Sequence, residues 1–161
     1  MKLSPELSDG LTCGDWMSRD VVTIDPHSPL LDAARLMRER GIGAIPVCHS
    51  SQANSRPLGM VTDRDIVVRV IAEDLDLERV DVGEVMTTPV IYCFEEESPW
   101  TALHLMEQHL IRRLPVLERS SGSLKGILTI TDLSRAQVPG RQWRERVVGV
   151  LASQRKWDSF R

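Results

Sequence analysis

The eight residues Gly59-Met60-Val61-Thr62-Asp63-Arg64-Asp65-Ile66 return 67 positions later as Gly126-Ile127-Leu128-Thr129-Ile130-Thr131-Asp132-Leu133. Each copy is a glycine, two apolar residues, a threonine, two further residues, an aspartate and an aliphatic residue. The duplication runs well beyond this segment. Gly14-Asp15-Trp16-Met17 recurs as Gly83-Glu84-Val85-Met86, Val21 as Val90, Leu36-Met37 as Leu105-Met106 and Pro46-Val47 as Pro115-Val116, all 69 positions on. The two-residue difference falls in a polar stretch, His49 to Ser55, of the kind that tolerates changes in length. A chain that repeats itself in this way must fold as two similar units. The matches place repeat one at residues 12–74 and repeat two at 81–137. They leave a linker at 75–80, an N-terminal extension at 1–11 and a C-terminal tail at 138–161.

A unit of about 60 residues buries too little surface to be more than marginally stable alone, so the two are expected to bury a shared apolar face. Hydrophobic content of 42% and charged content of 27% are those of an ordinary globular protein. A net charge of −3 gives no general attraction to nucleic acid or acidic lipid. No apolar run reaches membrane-spanning length, and residues 1–10 lack a secretory hydrophobic stretch. The 3 cysteines, Cys13, Cys48 and Cys93, are odd in number and far apart, which argues against a disulfide framework and for a reducing cytoplasm. Cys48-His49 has no second ligand pair, so no metal site is expected. The 4 histidines, His27, His49, His104 and His109, are scattered without a nucleophile beside a base, and no catalytic residue is expected.

Periodicity gives each repeat the order β-α-β-β-α, an α/β (α+β) architecture of mixed sheets and flanking helices. In repeat one, residues 21–24 read as a strand and Ser28-Pro29 as a helix start, with serine the cap and proline in the first turn. Gly41 reads as that helix's stop. Strands follow at 44–48 and 58–61, the first interrupted by Pro46, which implies an edge or a bulge. From Asp63 a second helix carries Ile66, Val67, Val70 and Ile71 as its apolar stripe. In repeat two, Ser98-Pro99 opens a helix with Trp100, Leu103, Met106 and Leu110. Strands at 114–117 and 124–128 then lead to a helix from Thr131. Beyond Pro139-Gly140, a tail with Trp143, Val147, Val150 and Leu151 on one face is flanked by Arg141, Arg144, Arg146, Arg155 and Lys156. It reads as an amphipathic packing helix, with contact to nucleic acid, membrane or a protein partner as the alternative.

The repeated octapeptide sits where a strand turns into a helix. There Thr62 or Thr129 can cap the helix or offer its hydroxyl to a ligand, and unpaired N–H groups favour phosphate. Asp65 and Asp132 lie in the first helical turn, where a carboxylate is stabilised and can accept two ribose hydroxyls. Gly59 and Gly126 would admit another backbone or an adenine ring at close range. A pair of capping boxes without a ligand satisfies the same pattern.

Together, the repeat openings at Gly14 and Gly83, the Pro-Val strands and the doubled Gly-x-x-Thr-x-x-Asp resemble a tandem pair of CBS domains, a Bateman module. The likeness covers about residues 12–137 and extends to small stand-alone bacterial pairs of the hypoxic-response type. It implies two pseudo-symmetric repeats packed sheet to sheet, no catalysis, no required cofactor, and clefts that bind AMP, ADP, ATP or S-adenosylmethionine to alter a partner's engagement. By that resemblance one cleft joins Thr23, Ile42, Gly43 and Ala44 to Ile127, Thr129, Thr131 and Asp132, with Arg112 and Arg113 toward phosphate. The other joins Met60, Thr62, Arg64 and Asp65 to Tyr92, Ile111, Arg112 and Arg113. The first is favoured, because small residues in it are replaced by a tyrosine ring and two arginines in the second. The two arginines also fit a solvated surface pair. The resemblance further implies a homodimer through the helices of Leu36-Met37 and Trp100-Leu105-Met106, and an unidentified protein partner. The alternative is a dimeric scaffold with vestigial clefts.

Overall fold

The computed structural model describes residues 10–49, 55–136, 138 and 141–153. Most of the N-terminal extension, the polar stretch at 50–54, the Pro139-Gly140 boundary, and Arg155 and Lys156 of the tail lie outside the described residues. In chain order the elements are α1 (Cys13–Trp16), α2 (Leu30–Arg40), β1 (Ala44–Val47), β2 (Gly59–Thr62), α3 (Asp63–Arg69) with a 3-10 turn at Ile71–Glu73, and α4 (Val82–Val85). These are followed by β3 (Cys93–Phe94), α5 (Pro99–His109), β4 (Arg113–Leu117), β5 (Leu124–Thr129), α6 (Ile130–Arg135) and α7 (Arg141–Ala152). Among the described residues no helix is long and apolar enough to cross a membrane.

Proline decides how far the strands pair. β1 and β2 are antiparallel, with Ala44 opposite Thr62 and Val47 opposite Gly59. On its other side β1 meets only Ile24, in a parallel bridge made by Ile24 N–H to the Pro46 carbonyl and Cys48 N–H to the Ile24 carbonyl. The strand expected at 21–24 therefore shrinks to one residue. Extending that ladder backwards requires an N–H from residue 46, and proline has none. Repeat two behaves alike: β3 is two residues long, Cys93 opposite Val116 and Phe94 opposite Leu117, and pairing stops at Pro115. There β3, β4 and β5 form a three-stranded sheet.

The two long helices start differently. Ser98 caps α5 as expected, its hydroxyl accepting the Trp100 N–H at 3.3 Å. Ser28 does not cap α2. That helix begins after Pro29, and its first amides donate to linker carbonyls, Leu30 to Val80 at 2.8 Å and Leu31 to Leu77 at 3.2 Å. Gly41 stops α2 in the left-handed conformation, φ 62°, and Leu110 takes the same conformation after α5, φ 52°. Of the stripe proposed for α3, Ile66 and Val70 are buried, whereas Val67 and Ile71 are 51% and 53% exposed, on the side away from the core.

The chain forms two compact units whose bounds cut across the sequence repeats. One contains residues 1–19, 91–120 and 125–161; the other contains 20–90 and 121–124. The opening of each repeat is thus built into the unit of the other. Gly14 N–H donates to the Glu95 carbonyl at 2.8 Å, and 69 residues on, Gly83 N–H donates to the Pro26 carbonyl at 2.8 Å. A Cβ on Gly14 would sit 3.2 Å from that oxygen and one on Gly83 3.1 Å, so both openings keep glycine to seat a carbonyl. Cys13 and Met17 then join the core of Leu103, Met106, Leu114, Leu128 and Leu133. Val82 and Val85 join that of Leu30, Ile45, Val47, Val61 and Val70.

Gly59 and Gly126 serve the same exchange. Of the close neighbours expected there, another backbone is found at Gly126, where an added Cβ would stand 2.8 Å from the Ser18 carbonyl, and each glycine also meets the methionine of a repeat opening: Met86 lies against Gly59 and Met17 against Gly126. Beside them Ser18 and Ile127 exchange hydrogen bonds at 2.9 Å each, and Met60 and Thr87 at 3.1 and 2.7 Å.

The C-terminal segment is a helix that packs on its own repeat. Trp143, Val147 and Val150 of α7 are buried in the repeat-two core, while Leu151 remains exposed. The Trp143 ring meets Trp100 edge-on, centroids 4.9 Å apart, and Arg146 pairs with Glu107 while lying over Trp100. Trp100 is therefore occupied within the chain, and Met37 and Met106 are buried in their own cores. Of the side chains anticipated at a self-association surface, Leu36, Trp100 and Leu105 are only half-buried.

The Gly126 contact is the least forgiving of these features, because an added Cβ would stand 2.8 Å from the Ser18 carbonyl, which is itself held by Ile127. Gly126→Ala is expected to destabilise the protein by about 1–3 kcal/mol, the usual range for overpacking, measured as a lowered midpoint in urea.

Candidate functional site

Both Thr-x-x-Asp segments form complete capping boxes. Thr129 ends β5 in extended backbone, φ −111° and ψ 159°, so its hydroxyl turns back to accept the Asp132 N–H at 3.1 Å. Asp132 Oδ2 accepts the Thr129 N–H at 2.9 Å and the Thr129 hydroxyl at 2.6 Å. Thr62 and Asp65 repeat the arrangement at the start of α3, with 3.1, 3.0 and 2.6 Å for the same three bonds. One oxygen of each aspartate is thereby committed to holding the helix start.

The two boxes differ at the remaining oxygen. Asp132 Oδ1 has no hydrogen bond or ion pair among the described residues, and Asp132 is half-buried beside exposed Thr131. Asp65 is 8% exposed and its Oδ1 faces the Arg69 guanidinium at 3.4 Å. Arg69 was not among the residues expected to matter. An aspartate followed four positions later by arginine on one helix is, however, a pairing visible in sequence.

The other expected residues fall into the two units as follows. In the unit of repeat two, Arg112 meets the Asp132 box through its backbone, its carbonyl accepting the Ile130 N–H at 2.9 Å. Its side chain goes elsewhere: one guanidinium nitrogen donates to the Leu151 and Ser153 carbonyls, each at 2.9 Å, at the end of α7. Neither description offered for Arg112, a phosphate ligand or a solvated surface residue, includes this role. Arg113 is exposed at the start of β4. Ile111 is half-buried against the core, and the Tyr92 ring packs edge-on against Phe94 at 5.4 Å. Ile127 is half-buried and tied to Ser18.

In the unit of repeat one, the Gly43 carbonyl accepts the Asp63 N–H at 3.2 Å and Ala44 pairs with Thr62, so both lie beside the Asp65 box. Ile42 donates to the Met37 carbonyl at 3.0 Å, Thr23 is exposed, and Met60 and Arg64 are half-buried.

The cysteines offer little reactive chemistry. A hydrogen bond with Cys13 and burial push the Cys93 thiol far above the usual range, and burial pushes up that of Cys48. A thiol held protonated is a poor nucleophile and a poor metal ligand. Among the described residues, no three of His, Cys, Asp or Glu come together as a metal ion would require.

Four matches to known proteins place the chain in a family. The family model for the CBS domain matches the chain twice, over residues 13–72 and 82–139. Hypoxic response protein 1 of Mycobacterium tuberculosis is 38% identical over 124 residues, covering 77% of this chain and 83% of that protein. The crystal structure of Hypoxic Response Protein I with two coordinated zinc ions matches with a TM-score of 0.68 at 37% identity, covering 78% of this chain and 98% of that one. The CBS domain pair of MJ0100, crystallised with 5′-methylthioadenosine and S-adenosyl-L-methionine, matches with a TM-score of 0.68 over 78% of this chain and 98% of that one. At 23% identity that likeness is one of fold.

The Arg112 bonds give a direct expectation. Carbonyls at a helix C-terminus lack intrahelical donors and carry the negative end of the dipole, so a guanidinium there is favourable. Arg112→Ala should weaken the end of α7 by about 1 kcal/mol. The sign would be faster amide exchange at residues 148–152, with the repeat cores unchanged.

Proposed function

Since the chain belongs to the CBS domain family and carries that domain twice, we propose that it is a regulatory module binding an adenosine-containing small molecule, with Asp132 receiving the ribose. The observation that carries this reading is the divided use of the Asp132 carboxylate. Its Oδ2 is pinned by Thr129 at 2.9 and 2.6 Å, which fixes the orientation of the group. Its Oδ1 is left as an anionic acceptor in the first turn of a helix, where a sugar hydroxyl can donate without displacing a protein partner. Thr131, exposed one residue earlier, and Arg113, exposed at the start of β4, are groups that suit a phosphate. The MJ0100 domain pair, alike in fold, was crystallised with two adenosine derivatives, which supports this ligand class.

AMP, ADP, ATP and S-adenosylmethionine are the compounds to test, and binding is expected to change how the module engages itself or another protein. The role is regulatory, without turnover of the ligand. A second reading, a scaffold whose boxes serve only the helices, draws on the same caps, since a capping box is sufficient reason for threonine and aspartate at these positions.

Thermal unfolding separates the two, because a ligand selective for the native state must raise its stability. An adenosine compound should raise the melting temperature, and calorimetry should give a measurable affinity. Asp132→Asn keeps an acceptor for the Thr129 N–H but loses the charge. It should lower that affinity about 10- to 100-fold, the equivalent of a charged hydrogen bond of about 1.5–3 kcal/mol. A flat response to all four compounds would leave the scaffold reading standing.

A further inference from the structure

The sequence presents two equivalent boxes, but the structure does not leave them equally open. Arg69 lies one helical turn after Asp65 and faces Oδ1, the carboxylate oxygen not used by the cap, at 3.4 Å. The guanidinium is itself anchored: Nη1 donates to the Val85 carbonyl at 2.6 Å and Nη2 to the Thr87 hydroxyl at 3.1 Å. Val85 is the last residue of α4, so Arg69 also satisfies a helix C-terminus. Sixty-seven residues on, the place of Arg69 is taken by Ala136, which has no charge to offer Asp132.

Resting on the reading of Asp132 as the ribose acceptor, we infer that Arg69 closes the Asp65 box, so that each chain takes one adenosine-containing ligand, at Asp132. A ribose approaching Asp65 must compete with a cation held in place by two further bonds. It must also reach a carboxylate that is almost wholly buried. Removing Arg69 would leave the Val85 carbonyl and Thr87 hydroxyl without that donor, so the ligand's hydroxyls would have to offset the loss of three contacts rather than one. Among the described residues, nothing of this kind faces Asp132. Arg69 therefore sets the number of sites by supplying, from within the chain, the hydrogen-bond donors that the ribose would otherwise bring.

The test is the stoichiometry of AMP, ATP and S-adenosylmethionine on the full chain, each titrated singly by calorimetry. The wild-type protein is expected to bind one molecule per chain. Arg69→Met, which keeps most of the aliphatic stem, is expected to bind two. Asp132→Asn should weaken that site about 10- to 100-fold, and adding Arg69→Met to it should restore one tight site through Asp65. Two equivalent sites in the wild-type chain would overturn the inference while leaving the function intact, and so would a single site in a folded Arg69→Met variant. Absence of binding by all three compounds and by ADP would instead overturn the function, and the inference with it. The wild-type count stands by itself should Arg69→Met fail to fold, as judged by circular dichroism.

Discussion

A backbone carbonyl seated on a glycine holds each half of this protein together. Glu95 presents its carbonyl to Gly14, and Pro26 presents its own to Gly83, at the same N–H to O distance of 2.8 Å. The seats bring in short helices that would have little stability alone, since four residues cannot sustain a helix without tertiary support. Once seated, α1 lends Cys13 and Met17 to one core and α4 lends Val82 and Val85 to the other. Neither sequence repeat completes its core from its own residues. This is how two segments of marginal size reach stability as a pair.

The same exchange accounts for the glycine that opens the octapeptide. Gly59 and Gly126, ahead of the Thr-x-x-Asp boxes, let Met86 and Met17 lie against the strand. Chemistry is thus divided within eight residues: the glycine serves packing, the threonine and one aspartate oxygen serve the helix start, and the second aspartate oxygen is not used by the cap. Its availability then depends on a neighbour outside the repeated motif. Arg69 occupies that oxygen in the first repeat and Ala136 leaves it alone in the second, so a duplicated motif acquires two fates through one unduplicated residue.

Much of this was legible from the chain itself. The offsets of 69 and 67 located the repeats, and the Thr-x-x-Asp spacing identified helix starts, because capping is a local matter settled within four residues. Non-local matters were less readable. Residues 21–24 have the composition of a strand, yet the missing N–H of Pro46, over twenty residues away, ends the ladder. Ser28 has the look of a cap, yet carbonyls at Leu77 and Val80 do that work. Val67 and Ile71 satisfy helical periodicity, but no pattern within one helix tells which side its neighbours will cover. The exchange of the repeat openings was hidden for the same reason: Met17 and Met86 announce burial without saying in which core.

The arginines show why charged residues resist a reading from sequence. Arg112 and Arg113 looked like a matched pair and both are exposed, but Arg113 opens β4 while Arg112 stands at the bend before it. Arg113 stays exposed, while Arg112 spans from the start of α6 to the end of α7. Its carbonyl receives the Ile130 N–H next to the Asp132 box, and its guanidinium holds the carbonyls of Leu151 and Ser153. Any displacement of the turn at 111–113 must therefore disturb both the first residue of α6 and the last turn of α7. With Trp143 buried against Trp100, Arg146 on Glu107 and Val150 in the repeat-two core, that last turn is held by packing as well as by the Arg112 bonds.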